Sequence, residues 1–271
     1  MNSRDILTEY GLKPNRALGQ NFLIDEAMIE RIVAAAAEPK LPILEIGPGL
    51  GAITEPLSRT HLPIAAVELD SVLCGILKER LPLVTVINAD FLKVDLDNIH
   101  SELGNGGLCV VGNLPYYITS PITSRLMLSG LPIGRMVLMM QEEAAERFTA
   151  CPGDKNYVPL TVYTRILYDV STLCSLSPAC YYPSPDVSSA VLLFSPKGRK
   201  LPEKLPQLVK CAFSMRRKTL QNNLKALGLK KDEAEELILS AGLSPSVRAE
   251  TLDENAFLLL SRLYEEKLNE R

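Results

Sequence analysis

Apolar residues in this chain fall into two rhythms. Short, mainly apolar runs at 43–46, 64–67, 84–88, 108–111, 135–140 and 192–194 fit strands buried on both faces of a sheet. Between them lie stretches with apolar residues three and four apart. In 25–38 these are residues 28, 29, 32, 33 and 36, with Asp25 placed as a helix cap. Similar helical stretches run from Gly51 to about Arg59 and over 72–80, 120–129 and 142–148. Strands alternating with helices predict a parallel sheet covered by helices on both faces. The run Ser195-Pro196-Lys197-Gly198-Arg199-Lys200-Leu201-Pro202 reads as a linker, and beyond it the pattern is helical only, at roughly 203–214, 216–227, 232–241 and 253–267. The expected organisation is an α/β domain over residues 1–196 and a small all-helical domain over 203–271.

The polar residues that end the strands carry the candidate chemistry, because open α/β sheets bind ligands at the carboxyl ends of their strands. The run 43–46 leads into Gly47-Pro48-Gly49-Leu50-Gly51, a glycine turn that lets a ligand approach the backbone. Its spacing is G-x-G-x-G, with Ala52 and Ile53 where a dinucleotide fingerprint carries its third glycine. Glu45 stands just before the turn, suited to a cationic methionine moiety, so S-adenosylmethionine is favoured over NAD. Glu68 ends the next strand and can accept from two ribose hydroxyls. Asp90 ends the third and can accept from an adenine amino group. The run 108–112 ends in Asn113-Leu114-Pro115-Tyr116, which offers a side-chain amide, backbone carbonyls and an aromatic face to a planar amine-bearing group. Tyr117 is assigned to the core. The segment Leu18-Gly19-Gln20-Asn21-Phe22-Leu23 has two readings, a loop docked on the core by Phe22 and Leu23, or a lid over the cofactor.

Composition narrows the field. With 271 residues, 46% hydrophobic and 23% charged, the chain is built to fold. Its six cysteines form no C-x-x-C pair and its two histidines, His61 and His100, have no ligand-like neighbours, so no metal site is expected. The uncharged run Gly106 to Ser124 has the length of a membrane span but contains three glycines, two prolines and several hydroxyls. The polar start Met1-Asn2-Ser3-Arg4-Asp5 has no apolar signal core, and a cytoplasmic location is expected. Net charge is −3, yet eleven Lys or Arg stand against the single acid Glu203 between Lys197 and Lys231. Such a basic block inside an acidic protein suits a phosphate backbone.

Taken in order, these motifs resemble the adenine-N6 rRNA dimethyltransferases, most closely the bacterial branch that acts on small-subunit rRNA. The resemblance covers nearly the whole chain. It continues through Glu68-Leu69-Asp70, Gln141-Glu142-Glu143, Pro183-Ser184-Pro185-Asp186-Val187-Ser188-Ser189-Ala190-Val191 and Arg216-Arg217-Lys218-Thr219-Leu220-Gln221-Asn222-Asn223-Leu224. It implies a Rossmann-like S-adenosylmethionine-dependent methyltransferase domain with a helical carboxy-terminal domain. Cofactor contacts would fall on Gln20, Asn21, Leu23, Gly47, Gly49, Glu68, Asp90 and Asn113, and the methyl-transfer site on Asn113, Leu114, Pro115 and Tyr116. Arg216, Arg217, Lys218 and Lys225 would meet RNA phosphates, with Phe213 and Leu220 as core positions of the same helix. The implied partner is 16S rRNA in the immature small subunit, with the enzyme a monomer. The block from Arg216 to Leu224 separates the chain from relatives that methylate large-subunit rRNA, which usually have Ile in place of Leu114. Asp186 and Glu142 depart from the family pattern, each standing where Lys is common, and both remove positive charge from the implied RNA face. Three other readings stand beside this one: a non-catalytic assembly factor, a protein-glutamine methyltransferase that the basic segment disfavours, and an NAD oxidoreductase that the glycine spacing disfavours.

Overall fold

The computed structural model describes residues 3–15, 18–115 and 117–269. In chain order the elements are α1 (Ser3–Glu9), β1 (Phe22–Leu23), α2 (Glu26–Ala37), β2 (Ile43–Ile46), α3 (Thr54–Ser58), β3 (Ile64–Glu68), α4 (Ser71–Arg80), β4 (Thr85–Asn88), α5 (Leu96–Glu102), β5 (Leu108–Asn113), α6 (Thr119–Leu128) and β6 (Ile133–Gln141). Then follow α7 (Glu142–Thr149), α8 (Pro159–Leu167), β7 (Tyr168–Leu176), β8 (Tyr181–Tyr182), β9 (Ser189–Pro196), α9 (Leu205–Ala212), α10 (Leu220–Leu224), α11 (Lys231–Ser240) and α12 (Glu254–Asn269). Contacts gather them into two compact units, Met1–Ala145 with Asp169–Pro196, and Glu146–Tyr168 with Lys197–Arg271.

The first unit holds a seven-stranded sheet in the order β4-β3-β2-β5-β6-β9-β7. Strands β4, β3, β2, β5 and β6 run parallel, and β9 is antiparallel to β6. Every residue of β2 and β3 is buried, which is why these strands read as apolar runs without alternation. Asp25 caps α2 as the sequence predicts, accepting from Met28 N at 3.1 Å, and the structure adds Asp70 and Asp95, which accept from two backbone amides each at the starts of α4 and α5. Strands β2, β3 and β4 step to one side and β5 and β6 to the other, so the chain reverses between β2 and β5. A crevice opens outside the carboxyl ends of those two strands. At Gly112 in β5 an added Cβ would lie 2.9 Å from the Ile46 carbonyl oxygen, so only glycine lets β5 approach β2 there.

The second unit is helical, as expected, but its membership differs from the sequence reading. Residues 146–168, assigned by sequence to the α/β domain, cluster with the carboxy-terminal helices. Tyr157 donates its hydroxyl to Leu252 O at 2.7 Å, Arg165 pairs with Glu254 at 2.7 Å, and the Phe213 ring lies 6.1 Å from Tyr157 and 5.8 Å from Phe257. The first two contacts link positions 95 and 89 residues apart, which local periodicity does not encode.

A second correction concerns the basic block. The sequence predicts one helix over 216–227, but Arg216, Arg217 and Lys218 lie in an exposed turn, and α10 begins only after Thr219, which is extended at φ −65°, ψ 155°. Phe213 and Leu220 therefore do not share a helix. Asn223 sets this geometry: its side chain is 1% exposed and donates to Ala212 O at 2.5 Å and Met215 O at 3.2 Å. The amide thus satisfies the Ala212 carbonyl that the end of α9 leaves open, while Met215 O also accepts from Lys218 N at 2.9 Å. Asn223→Ala would leave the Ala212 carbonyl without this donor and is expected to cost about 1–3 kcal/mol, read as a lower urea midpoint at unchanged slope.

Candidate active site

The carboxyl ends of the parallel strands converge on a cleft in the first unit, lined by the glycine turn, Glu45, Glu68, Asp90, Asn113 and the 18–23 segment. Gly47 and Gly49 adopt φ of +64° and +59°, and a Cβ on Gly49 would meet the Phe22 ring at 3.0 Å. Glycine at 49 therefore lets Phe22 lie against the turn. Glu68 holds the same turn from below: one oxygen accepts from Gly49 N at 3.0 Å, the other from Asp70 N at 2.9 Å. Burial raises the Glu68 carboxyl above the ordinary value, and the amides of Asp70 and Gly49 work against that rise. Asn88, at the end of β4, fixes the end of β3 by donating to Glu68 O at 3.0 Å and Leu69 O at 3.1 Å. Asp90 accepts from Leu92 N at 2.9 Å and pairs with Lys93 at 3.4 Å.

The 18–23 segment docks on the core through Phe22 and Leu23 and also lines the cleft. Phe22 and Leu23 are buried and form β1, which pairs antiparallel with β8 through Phe22↔Tyr182 and Leu23↔Tyr181. The residues before them roof the cleft. Gln20 donates to Asp70 Oδ2 at 2.9 Å and accepts from Asn15 N at 2.8 Å, so its side chain is occupied in strapping the roof to the start of α4. Asn113 donates through Nδ2 to Asn21 O at 3.0 Å, which directs the amide so that Oδ1 is its remaining acceptor. The Pro115 carbonyl is taken by Ile118 N at 3.1 Å and Thr119 Oγ1 at 3.2 Å. Leu114 N is bonded to Met139 O at 2.9 Å, while no described residue donates to the Leu114 carbonyl. Two acceptors, Asn113 Oδ1 and Leu114 O, are thus left at the end of β5.

Glu45 is the unusual group. It is 2% exposed, lines the cleft, and its Oε2 has no hydrogen-bond partner. Burial pushes its carboxyl up to about 8; the neighbouring Thr54 hydroxyl partly opposes the rise without completing a hydrogen bond, and the Glu68 charge adds to it. The folded carboxyl therefore keeps its proton up to about pH 8, where an ordinary carboxyl releases it near 4.5. This group's contribution to stability is complete below about pH 4.5 and is lost as pH rises towards 8. Glu45→Gln is expected to flatten that dependence. By calorimetry on cofactor-free protein, the two Tm values should meet in acid and separate in favour of the Gln variant above about pH 5.

Most predicted cofactor residues come together here. The exceptions are instructive. Tyr116 lies outside the described residues. Tyr117, assigned to the core, is 60% exposed at the rim of the cleft, because the turn closed on the Pro115 carbonyl faces it away from the sheet. Asp70 and Asn88 border the site without a site role in the sequence reading, although a strand-end Asp before a helical run is a recognisable cap signal. Arg216, Arg217, Lys218 and Lys225 are exposed and belong to the second unit, where Arg216 donates to Lys155 O at 2.9 Å. Glu142 and Asp186 are exposed as well. Among the described residues no group of His, Cys, Asp or Glu is arranged to hold a metal, and no helix is long and apolar enough to cross a membrane.

A buried carboxyl oxygen without a partner, in a group that a neighbouring cation would return to its ionised form, set beside a glycine turn, suits a cationic cofactor better than a dinucleotide. With the doubly wound sheet it puts the unit in the class of S-adenosylmethionine-dependent methyltransferases. Comparison with known proteins narrows the class. A family model described as ribosomal RNA adenine dimethylase matches residues 11–266. The chain is 41% identical over 255 residues to ribosomal RNA small subunit methyltransferase A of Desulfitobacterium hafniense, covering 91% of each protein. It is 38% identical over 270 residues to the protein of that name in Clostridium botulinum, covering 96% of this chain and 98% of the relative. Among solved structures, the 23S rRNA methyltransferase ErmE superposes with a TM-score of 0.64 at 26% identity, over 90% of this chain and 99% of that one. A dimethyladenosine transferase from Plasmodium falciparum shares the fold, with a TM-score of 0.72 at 24% identity over 90% of this chain and 98% of that one. The chain belongs to the ribosomal RNA adenine dimethylase family. It is an rRNA adenine dimethyltransferase, and S-adenosylmethionine is its methyl donor.

Proposed function

We propose that the protein dimethylates N6 of two adjacent adenines in a hairpin loop near the 3′ end of 16S rRNA, acting in the cytoplasm as a monomer on the immature small subunit. The names of its relatives support the small-subunit substrate, and the basic block of the second unit suits an RNA partner. The observation that carries the chemistry is the pair of open acceptors, Asn113 Oδ1 and Leu114 O, at the end of β5.

Adenine N6 is a weak nucleophile because its lone pair is delocalised into the ring. Asn113 Oδ1 and the Leu114 carbonyl would accept its two N–H bonds, hold the amine still and favour pyramidal nitrogen. Pro115 serves through its fixed turn, since its carbonyl is already occupied. Tyr116 would stack on the base, a contact worth roughly 1–3 kcal/mol. S-adenosylmethionine, when bound, supplies an electrophilic methyl group on a sulfonium. Around it Glu45 would face the cationic methionine moiety, Glu68 the ribose hydroxyls and Asp90 the adenine amino group, with Asn21, Leu23, Gly47 and Gly49 supplying close contacts. Gln20 keeps the roof in place. The methylated nitrogen is far more acidic than its neutral parent and needs no strong base. Catalysis is mainly positioning, a source able to supply about 7–11 kcal/mol. Arg216, Arg217, Lys218 and Lys225 would meet phosphates.

The test is transfer of labelled methyl groups to small subunits that lack the modification. Label is expected as dimethyladenosine in the 3′ hairpin of the small-subunit RNA; label confined to large-subunit RNA would overturn the substrate. Replacing Arg216, Arg217 and Lys218 together by Ala is expected to weaken RNA binding and to reduce the slope of log affinity against log salt by about 2–3.

A further inference from the structure

Two described aromatic residues are exposed, Tyr117 at 60% and Tyr182 at 37%. Tyr182 has a partner, with the Arg4 guanidinium 4.8 Å from its ring centre. No described residue makes such a contact with Tyr117. Its Cε1 edge comes within 3.9 Å of where a Gly19 Cβ would stand, so the edge lies near the roof at the one position there that lacks a side chain. On either side of it in the chain, Ile118 N and Thr119 Oγ1 both bond the Pro115 carbonyl. Tyr117 also lines the cleft, only four residues from Asn113. The result is an exposed aromatic face at the rim of a cleft for an unstacked adenine.

We propose that Tyr117 stacks on a base next to the target adenine in the RNA strand. The proposal rests on the reading that the cleft receives an adenine drawn out of its stack. When a base leaves a stack, its neighbour loses a partner on one face, and that loss opposes extrusion. An aromatic ring at the rim replaces the lost partner without regard to sequence, since every base has a π-face. Tyr117 thereby favours the opened RNA, while the pair of acceptors at Asn113 and Leu114 holds the target.

The experiment uses the full chain with small RNA hairpins whose loop contains adenines, with 2-aminopurine placed on either side of the methylated position. Wild type, Tyr117→Phe and Tyr117→Leu are compared by fluorescence, by kcat and KM for methyl transfer, by S-adenosylhomocysteine affinity and by Tm. Wild type and Phe are expected to quench the probe on one side. Leu should lose that quenching and raise KM for RNA by about 5- to 150-fold, the range of base–aromatic stacking, with cofactor affinity and Tm unchanged. The proposal is overturned if Leu quenches as wild type does, or if its defect appears as lost cofactor affinity or lower Tm. If wild-type enzyme methylates no adenine, in hairpins or in small subunits, the underlying reading fails instead. Hairpin methylation by wild type without Tyr117-dependent quenching leaves that reading standing and removes this one.

Discussion

Asn113→Ala is expected to lower kcat by about 10²- to 10³-fold, the scale seen when one preorganised hydrogen-bonding group is removed from a reacting centre. Two losses combine. The acceptor for one N6–H disappears, and so does the 3.0 Å bond to Asn21 O that orients the amide and latches the roof. Asn113→Asp separates them. It keeps an acceptor at the same place but turns the end facing Asn21 O from a donor into a second negative oxygen. If orientation by the roof matters as the geometry indicates, Asp should be nearly as damaged as Ala under single-turnover conditions with saturating cofactor. An Asp variant within threefold of wild type would show that the acceptor alone suffices and that the latch is incidental.

Glu68→Gln should act on a different step. Both Glu68 oxygens accept backbone amides, from Gly49 at 3.0 Å and Asp70 at 2.9 Å. A glutamine offers one oxygen and one NH2, so in either orientation a donor faces a donor and a buried amide goes unpaired, a cost of about 1–3 kcal/mol. The displaced member is either the glycine turn or the start of α4, and both border the cofactor cleft. The affinity for S-adenosylhomocysteine by calorimetry should fall by about 5- to 150-fold, with a lower Tm and with RNA affinity preserved. Unchanged cofactor affinity would mean that Glu68 neither shapes the turn nor meets the ribose.

The legible parts of this site are those written by sheet geometry. A parallel strand buried on both faces appears as an apolar run, and the polar residue that ends it marks the crevice, as Glu68, Asp90 and Asn113 do. Pairings between remote segments leave no such mark. The two residues of β1 meet the two of β8 across about 160 positions, and each pair is too short to show a period. The same holds for residues 146–168, whose place in the helical unit depends on Tyr157 reaching Leu252 and Arg165 reaching Glu254. Where the basic block turns rather than coils, the cause is one buried amide, Asn223, in a stretch whose helical period is otherwise unbroken. Tyr117 was misplaced because hydrophobic character alone does not say which way a residue between a proline turn and a helix faces.

The pairing of β1 with β8 also bears on the order of synthesis. Every described residue that lines the cofactor cleft lies between Leu18 and Ile122, so a nascent chain carries this lining when less than half of it has been made. The strand that clamps the roof does not exist until Tyr181 and Tyr182 emerge. A ribosome still translating this protein therefore displays an incomplete receptor for the cofactor, and the receptor is finished only after most of the sheet is in place.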